Sequence, residues 1–295
     1  GVIITNETEA KEICKFIDFK VDYVFVDSEK KIPNLGKNEL SNIERIARDH
    51  IKKSKIFSYK ANDVTVDAIE TLICKLYDKD NRGVGGKKIS IIGCGNIGFK
   101  LALKLVERGT NVYINRRNLN SLNKLRNTLN LIKNTHTFAK VKSSKNLLKI
   151  SENADMLIGL TQGTECIFAK MVKKMKTNSF IIDVGKGTIS DDAIIEANNR
   201  NIMLFRLDVS LAFKSMVYKN LLTEIMFDKN YGRRNFKNFS IISGGVYGYN
   251  GELVVDSVYN PKIIYGISNG KGELKKNLSN FKKDKIRKLK INNFV

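Results

Sequence analysis

The sequence predicts an α/β fold: a doubly wound parallel sheet with a smaller N-terminal α/β domain. Three observations predict it. Short apolar runs alternate with helix-period stretches through the middle of the chain. A polar, glycine-bearing stretch, Asp78-Lys79-Asp80-Asn81-Arg82-Gly83-Val84-Gly85-Gly86, divides that regular part from shorter α/β units before it. An apolar strand then runs directly into Gly93-Cys94-Gly95-Asn96-Ile97-Gly98, a strand-to-helix glycine turn.

Taken in order, residues 7–18 read as a helix and Val21–Val26 as a strand. Residues 38–53 show helical spacing through Leu40, Ile43, Ile46, Ala47 and Ile51. Lys55–Tyr59 is a strand, and 65–77 a helix with Ala68, Ile69, Leu72, Ile73 and Leu76 on one face. After the boundary come strands at Lys88–Ile92, Asn111–Asn115, Asp155–Thr161, Phe180–Val184 and Ile202–Leu207. Helices over 97–108, 119–133, 168–176 and 191–199 separate them, and 211–229 is helical. The remainder reads differently: strands Phe239–Ser243, Glu252–Ser257 and Lys262–Ser268 sit between glycine-rich turns. From Lys271 the chain is basic, and a docking helix and a frayed tail are both open. Three regions result: 1–80 as a substrate or catalytic domain, 81–230 as the doubly wound domain, and 231–295 as a strand-rich segment and basic tail expected to pack between the first two.

Composition narrows the function classes. With 42% hydrophobic residues the chain can build a sizeable core. No stretch approaches the roughly 20 apolar residues of a membrane span, so no membrane partner is expected. Gly1-Val2-Ile3-Ile4-Thr5-Asn6 lacks the basic start and apolar run of a secretory signal, and a cytoplasmic location is expected. Cys14, Cys74, Cys94 and Cys166 are widely spaced, which favours buried thiols over a disulfide framework or a zinc site. His50 and His136 lie in polar surroundings and predict solvated surface, so no metal is expected. The net charge of +22 concentrates in residues 61–150 and 231–295 and attracts anions. Codon bias in a lysine- and asparagine-rich source is an equally good origin for much of it. No zinc finger, helix-turn-helix or aromatic RNA-binding signature accompanies the basic segments, which argues against a nucleic-acid partner.

The glycine turn carries the chemistry. An apolar strand precedes it, a helix follows, and a second strand closes a βαβ unit: the setting of a Rossmann dinucleotide site. Gly93 permits the tight turn, Gly95 lets backbone approach a pyrophosphate, and Gly98 lets helix and strand pack closely. The amides of the helix start, at Asn96 and Ile97, face the phosphates along a positive dipole end. An NAD site usually carries Asp or Glu at the end of the second strand; here the chain reads Asn115-Arg116-Arg117. Two guanidinium groups suit a 2′-phosphate through bidentate, charge-assisted bonds, so NADP is expected over NAD. Thr161 and Gly185 close later strands, where open α/β sheets bind ligands, and join the cofactor set.

At these residues the chain resembles the shikimate dehydrogenase, methylenetetrahydrofolate dehydrogenase and glutamyl-tRNA reductase group of two-domain NADP-dependent Rossmann oxidoreductases. Asn115-Arg116-Arg117 matches their Asn-Arg-Thr or Asn-Arg-Ser. Val21–Val26, Ala154–Gly159, Met171–Lys176 with Phe180–Gly185, and Ser243-Gly244-Gly245-Val246 resemble stretches of the folate enzyme in order, over roughly residues 20–250. The folate enzyme's Tyr-x-x-x-Lys pair and proline-rich segment have no match here. The resemblance to shikimate dehydrogenase implies a lysine and an aspartate in the first domain acting on the substrate hydroxyl, and Lys60 and Asp63 are the nearest match. Lys60 would donate or accept the proton, with Asp63 as its partner. In the plainer alternative, Asp63 or Thr65 caps the following helix. Lys186, between Gly185 and Gly187, could meet an anionic substrate or a cofactor phosphate, and Gly244–Tyr249 forms a second glycine-bearing turn.

The function expected is an NADP-dependent oxidoreductase. It would pass a hydride between the nicotinamide and a small anionic hydroxy, oxo or imine metabolite in an interdomain cleft, and a homodimer is compatible with the sequence. The alternatives are a non-catalytic dinucleotide-binding module, or a lyase or synthase that uses bound NAD(P).

Overall fold

The computed structural model describes residues 1–33, 40–236 and 239–275; the end of the basic tail, from 276, lies outside them. Two compact units form, Gly1–Lys214 and Ser215–Val295.

The first unit opens with α1 (Glu7–Ile17), where Asn6 Oδ1 accepts from the Glu9 amide at 2.9 Å. Strand β1 (Tyr23–Asp27) is followed by β2 (Lys31–Pro33) and β3 (Leu40–Asn42), which pair antiparallel. Helix α2 (Ile43–His50) is shorter than its periodicity predicts. The residues before it enter β3, and Asn42 Oδ1 takes the Glu44 amide, so the helix starts there. Strand β4 (Lys55–Tyr59) runs parallel to β1, with Tyr23 opposite Lys55.

Helix α3 (Ala61–Leu76) follows. Neither Asp63 nor Thr65 caps it. Lys60 holds the cap position without a side-chain bond, and Thr65 Oγ1 donates back to the Ala61 carbonyl. The cap comes from a distant carboxylate: Glu29 Oε2 accepts from the Asn62 amide at 2.7 Å. Ile69 and Ile73 of α3 are fully buried in the same core as Ile89, Leu101, Leu105 and Ile114 of the following units.

Those units are β5 (Lys88–Ile92), α4 (Asn96–Glu107), β6 (Asn111–Asn115), α5 (Leu119–Ile132), β7 (Lys142–Ser143), α6 (Leu147–Ser151), β8 (Met156–Gly159), α7 (Ala169–Val172), β9 (Phe180–Asp183), α8 (Asp191–Asn199) and β10 (Met203–Arg206). They build one six-stranded sheet, all of it parallel, in the order β7-β6-β5-β8-β9-β10. The chain starts at the centre with β5, winds out to β7, returns beside β5 as β8, and winds out the other way. This is the doubly wound Rossmann order, with its switch point between β5 and β8. Strands β8 and β9 are buried at every residue, as expected of a parallel sheet covered on both faces. Helix α7 covers less than the predicted 168–176, because the chain turns after Val172 toward β9.

Helix α9 (Ser210–Lys229) leads into the second unit. There a four-stranded sheet runs β11 (Arg233–Phe236), β12 (Phe239–Ser243), β13 (Leu253–Val255), β14 (Ile264–Ile267), with β12 and β13 parallel. Strand β11 goes unpredicted because its arginine-bearing sequence gives no apolar signal. It is held by Arg233 Nε, which donates to the buried Glu252 carboxylate at 2.8 Å while the guanidinium lies over the Tyr249 ring.

Candidate functional site

The site is built where β5, β6, β8 and β9 end. Gly93 leaves β5 with φ +87°, a left-handed conformation that favours glycine. A Cβ there would lie 3.0 Å from the Leu160 carbonyl carbon and the Thr161 nitrogen, so Gly93 and Thr161 are in contact across the switch point. The Gly93 and Cys94 amides both donate to the Asn115 carbonyl, at 3.2 and 2.9 Å, and lock the turn to the end of β6. Gly98 packs against Ile91, Leu160 and Cys94, where a Cβ would come within 3.2–3.4 Å. Gly95 is different: a Cβ there would meet nothing within 4 Å. The turn thus presents an open backbone surface at Gly95, next to the first amides of α4. In an α-helix the amides of Asn96, Ile97 and Gly98 have no intrahelical acceptor, and no acidic residue occupies this first turn. That surface fits a pyrophosphate, which needs close backbone approach and amide donors.

The neighbouring strand ends are equally tight. Gly185 sits so close to Thr161 that a Cβ would lie 1.7 Å from its carbonyl oxygen, and the Gly185 amide donates to the Gly159 carbonyl at 3.2 Å. Sequence reasoning missed what holds this edge: Asp183. Its buried carboxylate accepts from the Gly187 amide at 2.8 Å and the Thr188 hydroxyl at 2.8 Å. Burial would raise its pKa, but the bonds from Gly187 and Thr188, with Arg206 nearby, hold it below the ordinary carboxylate value. The turn so fixed holds Lys186 at φ +58°, with its side chain exposed. An aspartate followed by Val-Gly-Lys-Gly-Thr was the available signal.

Of the Asn115-Arg116-Arg117 run, Asn115 is buried, and its amide donates to the Ser144 carbonyl at 2.8 Å. Its side chain therefore ties β6 to the segment after β7. Arg116 turns back over the glycine turn, with Nη1 3.4 Å from the Cys94 carbonyl. It lines a cleft of about 400 Å³ together with Gly95, Asn96, Phe99, Lys100 and Lys124. Arg117 is exposed and is not part of that lining. The Cys94 thiol inside the turn is pushed up to about 12 by burial, so it is a packing group and no nucleophile.

Lys60 and Asp63 are not paired with each other among the described residues. The Asp63 carboxylate pairs with Lys100 of α4, and beside it Glu70 binds Lys104 and Arg108, each at 2.7 Å. These contacts fasten α3 to α4. Lys60 is exposed at the start of α3.

Comparison with known proteins agrees with this geometry. Residues 73–214 match the family model of the D-isomer specific 2-hydroxyacid dehydrogenase NAD binding domain. A glycerol-3-phosphate dehydrogenase (NAD(P)+) of Clostridium botulinum is 32% identical over 105 residues, 34% of this chain and 32% of that protein. The chain thus matches about a third of that relative's length. Among solved structures, a dipicolinate synthase from Bacillus halodurans is 14% identical with a TM-score of 0.40, covering 70% of this chain and 79% of that one. D-lactate dehydrogenase from Escherichia coli is 16% identical with a TM-score of 0.38, covering 76% and 79%. The shared ground with the group that the sequence resembles is the coarser one: a Rossmann domain of the kind found in dinucleotide-dependent dehydrogenases. The matching model is the 2-hydroxyacid dehydrogenase one, not that of shikimate dehydrogenase.

Proposed function

We propose that this protein is an NADP-dependent oxidoreductase acting on a small anionic hydroxy or oxo acid. The observation that carries the reading is the open backbone at Gly95, bounded by Arg116 and the first amides of α4. Gly93, Gly95, Asn96, Ile97 and Gly98 would hold the pyrophosphate, with Arg116 and Arg117 on the 2′-phosphate side. Thr161 and Gly185 would line the crevice toward the nicotinamide, and Asn115 would support it from beneath. A bound nicotinamide supplies the hydride acceptor or donor. The chain's own part is to orient it, exclude water and move a proton. Lys186, exposed on a turn that Asp183 fixes, suits the carboxylate or phosphate of the substrate. Lys60 is the proton-transfer candidate, and Asp63, tied to Lys100, would act by positioning. The printed names of the family model and the curated relative, a 2-hydroxyacid and a glycerol phosphate dehydrogenase, support an anionic hydroxy substrate. A homodimer is proposed as the assembly. Helix α9 buries none of its residues and exposes Tyr218, Leu222 and Ile225, a surface a second copy would cover.

Titration with NADPH and NADH, followed by nicotinamide fluorescence, tests the reading. NADPH is expected to bind more tightly. Binding of neither cofactor would end the oxidoreductase reading, and tighter NADH binding would reverse the cofactor choice.

A further inference from the structure

The cleft beside Arg116 has a second wall that no strand-end motif announces. It comes from α5: Lys124, Leu125 and Thr128 face Phe99 and Lys100 of α4 across it. Three cations line the cleft, Lys100, Arg116 and Lys124, and no carboxylate does. They are not equivalent. The Lys100 ammonium is already paired with Asp63, so its charge is largely answered. Arg116 makes one long contact with a carbonyl, and Lys124 is exposed with no ion pair among the described residues. Neither helix has an acidic residue in its first turn to compete for them. Phe99 and Leu125 add apolar wall between the charges.

We infer that Lys124 is the second cation of a phosphate-monoester site shared with Arg116, and that this site reads the 2′-phosphate of the adenosine ribose. The inference rests on the dinucleotide reading above and adds the residue that sets its specificity. Arg116 offers a planar fork and Lys124 a flexible point charge from the opposite wall, so a dianion would be held from two sides. Arg117, on the same turn but outside the cleft, acts only at longer range and is screened.

Dissociation constants of NADPH and NADH for the full chain and for Lys124→Ala, Arg116→Ala and Arg117→Ala test this. Competition by 2′-AMP, 5′-AMP and inorganic phosphate is measured alongside. Lys124→Ala is expected to weaken NADPH about tenfold, the effect of one lost charge-assisted bond, with NADH unchanged. Arg116→Ala should cost more and Arg117→Ala less. In the parent protein 2′-AMP should compete better than 5′-AMP, and Lys124→Ala should erase that advantage. Competition by inorganic phosphate equal to that by 2′-AMP would show a site for free phosphate and overturn the assignment. Parent preference for NADPH that Lys124→Ala leaves intact would overturn the role of Lys124 alone. A parent protein without NADPH preference would overturn it together with the cofactor reading. Circular dichroism separates these from misfolding, and Lys124→Arg, which restores the charge, should recover NADPH binding.

Discussion

The two ends of the first unit are held together by opposite means. At the C-terminal edge of the large sheet, backbone meets backbone: the Gly93 and Cys94 amides bind the Asn115 carbonyl, and Gly185 lies on the Thr161 carbonyl. In the N-terminal layer, side chains reach across long stretches of chain. Asp18 takes the amides of Lys52, Lys53 and Ser54, Glu29 caps α3, and Asp63 pairs with Lys100. The first arrangement tolerates only glycine at its close approaches, so it leaves a mark in sequence. The second uses common surface residues in ordinary places and leaves almost none.

The largest expected effect separates the two kinds of glycine on the backbone edge. Gly185→Ala would place a methyl group 1.7 Å from the Thr161 oxygen, an overlap that only a backbone shift relieves. A loss of about 3 kcal/mol is expected, read as a lowered denaturation midpoint with m unchanged. Gly95→Ala meets nothing within 4 Å, at an ordinary negative φ, so its stability should stay within about 1 kcal/mol of the parent. Its dinucleotide affinity should nevertheless fall, because the added methyl occupies the surface a pyrophosphate approaches. Equal stability losses in both variants would break the distinction between a structural and a ligand-facing glycine.

This contrast also explains what was legible. Strands Lys88–Ile92 and Asn111–Asn115 match their predicted bounds because buried parallel strands are continuous apolar runs ended by polar or glycine residues. The glycine turn and its place at the switch point were equally readable. Helix α2 is shorter than expected, since its apolar period continues through Leu40 while pairing of β3 with β2 claims residues 40–42. Helix periodicity cannot register that competition. Asp183 and Lys124 escaped for different reasons. The first matters through the turn it folds back to hold, and the second through which face of α5 looks across at α4. The pairing of Asp63 with Lys100 is likewise a tertiary fact between residues far apart in sequence.

An intermediate effect probes the side-chain side of the comparison through pH. Asp18 is lowered from 3.8 to about 2; burial opposes the shift, and the amides of Ser54, Lys52 and Lys53 overcome it. A carboxylate depressed in the folded state contributes stability that is complete above its unfolded pKa. That contribution disappears as pH falls from about 3.8 toward about 2. Asp18→Asn keeps the shape and cannot titrate. Its stability should be lower than the parent's at neutral pH, and the gap should close over that acid window. A gap that stays constant down to pH 2 would mean that the charge on Asp18 contributes nothing.

The smallest effect decides what Asp63 is for. Its carboxylate and Lys100 are both partly exposed, at 49% and 35%, so their coupling in a double-mutant cycle should be only about 0.5 kcal/mol. If Asp63 merely fastens α3 to α4, Asp63→Asn and Lys100→Ala should lower stability slightly and to the same degree, and turnover with a reducible substrate should follow stability. If Asp63 positions Lys60, Asp63→Asn should reduce kcat and shift the alkaline limb of its pH profile, whereas Lys100→Ala does so less. Lys60→Met provides the reference. Full turnover in that variant would remove Lys60 from the chemistry and leave Asp63 with its structural role alone.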